Sequence, residues 1–322
     1  MIKNNNQLTK QTLKRLLKLS VFLLVVFMIK QTVEKSYLEF EEADLGLDSL
    51  SIKPIMLSAC LYCLGLTCFA FMWHRVLHVL KQHPTGTESL GSYFISQLGK
   101  YVPGKALVVV IRSERVQSER TALSPAVIGV FIETLAMMAV GAVFGGLLII
   151  CFGYEESDTK IIWISGALAM TAGVPSIPPV FRAVIGVLSQ KKLGESLSQY
   201  VANVKLRTMF PCWSIAVIGW LFLGGSMVAC LHAIPTEVLN AQYSLEDYPI
   251  VTASVALAMV AGFVSLIPGG AGVREYIILT LLAGPYGVVA ATVVAVLLRL
   301  IWLSSEVLLA SGFFILMKRQ QL

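Results

Sequence analysis

Five charged residues fall inside strongly apolar stretches of this 322-residue chain: Glu133, Arg274, Glu275, Arg299 and Glu306. Each such charge costs ~2.5 to 3.5 kcal/mol at the centre of a bilayer, so five without partners would outweigh the stability of a typical domain. They must find counter-charges or water. A structural reading pairs them: Arg274 with Glu133, while Arg299 and Glu306, seven apart on one helix face, meet residues of other helices. A functional reading starts from the run Ser265-Leu266-Ile267-Pro268-Gly269-Gly270-Ala271-Gly272-Val273-Arg274-Glu275-Tyr276. Pro268 removes a backbone donor, and the glycines admit angles other residues avoid, so one helix stops here and another starts near Ala271. A helix start points free N–H groups and a positive end outward, and a guanidinium is a planar donor suited to phosphate oxygens. Pro268, Gly269, Gly270 and Arg274 therefore form a candidate anion site, to which Lys105 and Arg112 add a second positive cluster. Pro103, Gly104 and Gly272 are the candidate hinges. Glu133, Glu275, Arg299 and Glu306 make up a candidate intramembrane polar network.

Other chemistries are less well supplied. His74 and His78 are four apart with His83 beyond, but no acidic residue completes a zinc-hydrolase pattern, so no metal site is expected. Cys60 and Cys63 form a CxxC in mid-helix, whereas redox motifs of that kind work at exposed helix starts. All six cysteines lie in apolar runs and read as buried small hydrophobes. The tryptophans read as interfacial anchors or packing. With no nucleophile-elbow motif and no phosphate loop, neither catalysis nor a cofactor is expected.

The elements that must position these groups are membrane helices. The chain is 56% hydrophobic and 14% charged, and several apolar runs approach the ~20 residues a spanning helix requires. Residues 1–18 form a basic amino-terminal segment, 19–317 one transmembrane domain and 318–322 a short tail. Spanning helices are expected at 19–29, 54–80, 124–152, 160–188, 209–231 and 288–317. The first is read as retained, because Lys30-Gln31-Thr32-Val33-Glu34 offers no small-residue cleavage site. Gly141 and Gly145 have the GxxxG spacing that permits close helix contact.

Two further segments are too short to cross. In 88–116 the chain breaks at Pro103-Gly104 between apolar pieces; in 250–284 the return from Tyr276 to Ala283 is eight residues, about 12 Å of helix. Each fits a re-entrant hairpin, the bland alternative for the first being an amphipathic helix lying on the surface. The fold class is therefore all-α: a polytopic membrane protein of six spans plus two re-entrant hairpins.

Charge placement sets the orientation. With the amino terminus inside, inner segments hold nineteen of the 25 Lys and Arg, while outer loops hold four against twelve acids. Both termini are then cytoplasmic, and the +6 net charge faces an anionic leaflet, so no nucleic-acid partner is called for. The two hairpins open to opposite faces, the pattern of inverted repeats with a binding site between them. The anion most available at that depth is a phospholipid or polyprenyl-phosphate head group.

The run from Leu266 to Glu275, with Arg299 and the earlier Gln97-Leu98-Gly99-Lys100-Tyr101-Val102-Pro103-Gly104-Lys105, resembles the transmembrane region of lysylphosphatidylglycerol synthases over roughly residues 15–317. That region also occurs in stand-alone membrane proteins and fused to glycosyltransferase-like domains. The resemblance implies a flippase that moves an anionic or glycosylated lipid between leaflets of the inner membrane. The alternatives are a non-catalytic subunit that presents lipid to a separate glycosyltransferase or aminoacyltransferase, and a transporter of small anions. Family members that synthesise aminoacyl lipids carry a soluble catalytic domain after the helices. This sequence ends five residues past Met317, so synthesis by the chain alone is not expected.

Overall fold

The computed structural model describes residues 49–102, 106–152, 196–265 and 272–319, together with isolated positions at 27, 30, 31, 34, 166, 167, 170, 174, 177–183, 267 and 270. Most residues of the expected spans at 19–29 and 160–188 lie outside the described residues. So do Pro103, Gly104, Lys105, Pro268 and Gly269.

Helices in chain order are α1 (Ile52–Val79), α2 (Gly86–Gln97), α3 (Ala106–Val116), α4 (Leu123–Phe152), α5 (Ser196–Val201), α6 (Leu206–Leu231), α7 (Tyr248–Val264), α8 (Val273–Tyr286) and α9 (Val288–Arg319). A 3-10 turn, Leu98–Tyr101, continues α2. No strand occurs among the described residues. Five helices are long and apolar enough to cross a membrane. Four of them, α1, α4, α6 and α9, match expected spans to within a few residues. The fifth, Leu245–Val264, contains the arm expected to enter and turn back, and by length it is able to cross.

The return arm also differs from its expected form. It starts at Val273, so Arg274 and Glu275 are helical, and it runs through Gly284 and Pro285. Its 14 residues give about 21 Å of helix rather than 12. The helix runs one residue past Pro285, which forfeits one hydrogen bond there. Gly287, at φ 92°, closes it by donating to the Ala283 carbonyl at 3.0 Å.

Local chemistry fixes the other hairpin. Thr85 accepts from the Glu88 N–H at 3.2 Å while the Glu88 carboxylate accepts from the Thr85 N–H at 2.7 Å, a reciprocal cap that starts α2. Small residues then set the packing. A Cβ at Gly141 would stand 2.5 Å from the Trp220 ring of α6, and one at Gly145 would stand 3.1 Å from Leu257 of α7, so the two glycines of α4 seat two different helices. Trp73, Trp220 and Trp302 are core side chains. Only Cys212 and Cys230 are buried; Cys60 and Cys151 are exposed on the outer surfaces of α1 and α4, which corrects the expectation of uniform burial. An apolar run fixes depth in the bilayer, not which side of a helix faces protein.

The hairpins share two supports. The α2–α3 pair and the α7–α8 pair each pack on α4 and on α9, which brings the segment 98–101 and the start of α8 to the same part of the interior.

Candidate functional site

The embedded charges sort into three groups. In the first, Arg112 of α3 donates from Nη1 to Oε2 of Glu133 on α4 at 2.6 Å, both side chains being no more than 3% exposed. Arg112 Nε donates to Ser96 Oγ at 2.9 Å, and its guanidinium lies 4.2 Å from the centroid of the Tyr93 ring. Thr134 Oγ1 and the Tyr93 hydroxyl donate to Glu133 at 3.2 and 3.5 Å. The expected pairing of Glu133 with Arg274 is thus replaced by pairing with Arg112, which here serves a carboxylate and stands apart from Arg274.

The second group surrounds Glu306, which is fully buried on α9. Its Oε1 accepts from the Tyr62 hydroxyl of α1 and from Lys100 Nζ, and its Oε2 accepts from the Tyr101 hydroxyl at 3.1 Å. Tyr62 is held by stacking on Trp302, centroids 4.5 Å apart, and Trp302 Nε1 donates to Ser226 at 3.1 Å. Lys100, Tyr101 and Tyr62 are the members of the network that the sequence reading left out. A signal existed: Lys100 and Tyr101 stand two to three residues before the Pro103-Gly104 break, as Arg274 stands five residues after Pro268-Gly269.

The third group builds the start of α8. Glu275 accepts from the Gly272 N–H at 2.7 Å through Oε2 and from Arg299 Nη1 at 3.1 Å through Oε1, so one carboxylate caps the helix and neutralises the arginine on α9. Gly270 and Gly272, at φ 70° and 83°, occupy the left-handed region that side chains resist.

Arg274 is treated differently from the other cations. Its side chain lies in a slot between two glycines: a Cβ at Gly262 would come within 2.8 Å of its Cγ, and one at Gly270 within 2.8 Å of its Nε. That Nε is buried and has no hydrogen-bond partner among the described residues. The slot opens on a cavity of about 30 Å³ lined by Arg274, Lys100, Tyr101, Glu275, Arg299 and Trp302, with apolar walls from α7. That volume admits a water or two, not a head group. Around it stand three cations and two carboxylates, leaving a positive balance at the junction of both hairpins with α9. Gly270, Arg274, Glu275, Arg299 and Glu306 are therefore brought together; Arg112 and Glu133 form a separate cluster; Pro268, Gly269, Pro103, Gly104 and Lys105 fall outside the described residues.

The family model for the lysylphosphatidylglycerol synthase TM region matches residues 15–304. The chain belongs to that family. It is accordingly an integral membrane protein with a role tied to membrane lipid. A search of curated proteins returned no match.

Proposed function

We propose that this family member is a non-enzymatic flippase of the inner membrane that moves an anionic or glycosylated lipid, its phosphate held at Arg274, the Pro268 to Gly270 break and Lys100. The observation that carries the reading is the glycine-walled slot that presents an arginine with a buried, unpartnered Nε to a cation-rich cavity between two hairpins. An intramembrane cation retained beside a cavity has the electrostatics of an anion path, because the cavity's positive balance is offset only when a ligand brings negative charge. Loading requires the Lys100 and Glu306 contact to loosen so that a phosphate can share Lys100. In this reading six spans and two opposed re-entrant hairpins place both termini in the cytoplasm.

The test is leaflet exchange in liposomes carrying the purified chain and a head-group-labelled phosphatidylglycerol or polyprenyl-phosphate lipid. The wild type accelerates exchange of at least one of them and Arg274→Ala abolishes the acceleration. No acceleration with any anionic or glycosylated lipid removes the reading. Exchange only beside a co-purifying transferase favours the lipid-presenting subunit, and uptake of labelled soluble phosphate favours a small-anion transporter.

A further inference from the structure

Three of the chain's four histidines, His74, His78 and His83, fall within ten residues. His74 and His78 are one turn apart near the end of α1, with their Nε2 atoms 3.2 Å apart and ring centroids 4.6 Å apart. His83, in the linker before α2, brings its ring to 5.3 Å from that of His78, and its N–H donates to the Arg120 carbonyl at 3.1 Å. His74 Nδ1 lies 2.7 Å from Ser89 Oγ in the first turn of α2. None of these residues lines the anion cavity.

Two imidazole nitrogens bound to one tetrahedral zinc ion at ~2.0 to 2.1 Å stand about 3.3 to 3.4 Å apart. The observed 3.2 Å separation meets that spacing within a few tenths of an ångström. Ser89 occupies the remaining nitrogen of His74, the arrangement that fixes ring orientation in metal sites. His78 and His83 are exposed, so an ion from solvent can reach the pair. Neutral imidazoles without a carboxylate favour zinc, copper or nickel over magnesium and calcium. Among the described residues no group of three or more His, Cys, Asp or Glu side chains could hold a metal ion, so the site is a two-histidine chelate whose remaining positions water takes.

We infer that His74 and His78 bind a divalent transition-metal ion at the end of α1, the ring of His74 being oriented by Ser89 of α2. The experiment is titration of zinc sulfate into the detergent-purified full chain, carried on an affinity tag free of histidine. One zinc ion binds per chain, His78→Ala weakens binding at least tenfold, and Ser89→Ala weakens it about tenfold through loss of ring orientation. His232→Ala, at the opposite end of the bundle, leaves the isotherm unchanged. X-ray absorption of the zinc-loaded wild type shows two imidazole nitrogens near ~2.0 Å, a readout that needs no variant to fold. Absence of saturable binding, an unchanged isotherm in His78→Ala, or a first shell without imidazole overturns the inference. The contact at 3.2 Å is then an N–H···N hydrogen bond between neutral rings.

Discussion

Arg112 and Arg274 are both cations inside apolar helices, yet their surroundings differ. Arg112→Ala leaves Glu133, 1% exposed, without its only cation among the described residues. Removing one member of a buried pair costs about 3 to 5 kcal/mol, which is between two and four decades in the folded-to-unfolded ratio. Replacing both members with apolar residues of similar volume costs far less, because no charge is left stranded. The double variant Arg112→Met with Glu133→Met therefore recovers most of what Arg112→Ala loses. Arg274→Ala deletes a side chain whose Nε holds no hydrogen bond and which forms no ion pair within 4 Å among the described residues, so it costs less stability than Arg112→Ala. The assay is unfolding of the purified chain in mixed micelles titrated with sodium dodecyl sulfate, followed by tryptophan fluorescence, beside leaflet exchange for the same variants. An Arg112→Ala protein as stable as wild type, or a double variant no better than the single, refutes the division into a structural pair and a ligand-facing arginine. Arg112 would then return to the anion site.

Three further outcomes follow from the start of α8 and its slot. Gly262→Ala gains roughly 0.5 to 1 kcal/mol of helix propensity, yet its Cβ would stand 2.8 Å from Arg274 Cγ, so Arg274 must shift and leaflet exchange falls; unchanged exchange discounts the slot. Glu275→Gln keeps an acceptor for the Gly272 N–H and loses the charge opposite Arg299, whereas Glu275→Ala loses both, so the alanine variant is the less stable by about 1 kcal/mol in the same unfolding assay. Gly272→Ala meets no neighbouring atom and is strained by φ alone, costing about 1 to 2 kcal/mol.

How much of this was readable in the sequence depends on which physical signal each feature leaves. Apolar run length located α1, α4, α6 and α9, because hydrocarbon thickness sets helix length regardless of partners. The break at 265–272 was equally legible, since proline and glycine act locally. Pairing was not. Glu133 lies 21 residues after Arg112 and 141 before Arg274, and no local rule chooses between them; the choice is made by α3 packing against α4. Lys100 escaped for a related reason. It sits in a polar stretch that reads as loop, and only the folding of 98–101 inward reveals it as the cation of a buried carboxylate. The extent of α8 was underestimated because Gly284 and Pro285 read as a turn, although a helix end tolerates both.

Each of these three ion pairs joins one helical pair to a long helix: Arg112 of α3 to α4, Lys100 to α9, and Glu275 of α8 to α9. The pairs are unequal in what they can release. Arg112 and Glu133 are surrounded by Ser96, Thr134 and Tyr93, so parting them strands several donors at once. Glu306 differs, because Tyr62 and Tyr101 still serve its carboxylate if Lys100 turns to a new anion. Moving Lys100 therefore strands fewer donors than parting Arg112 from Glu133, and Lys100 lines the same cavity as Arg274. A hairpin able to shift Lys100 between a resident carboxylate and an arriving phosphate, while Arg112 anchors its other arm to α4, supplies a moving part and a fixed pivot from one short segment.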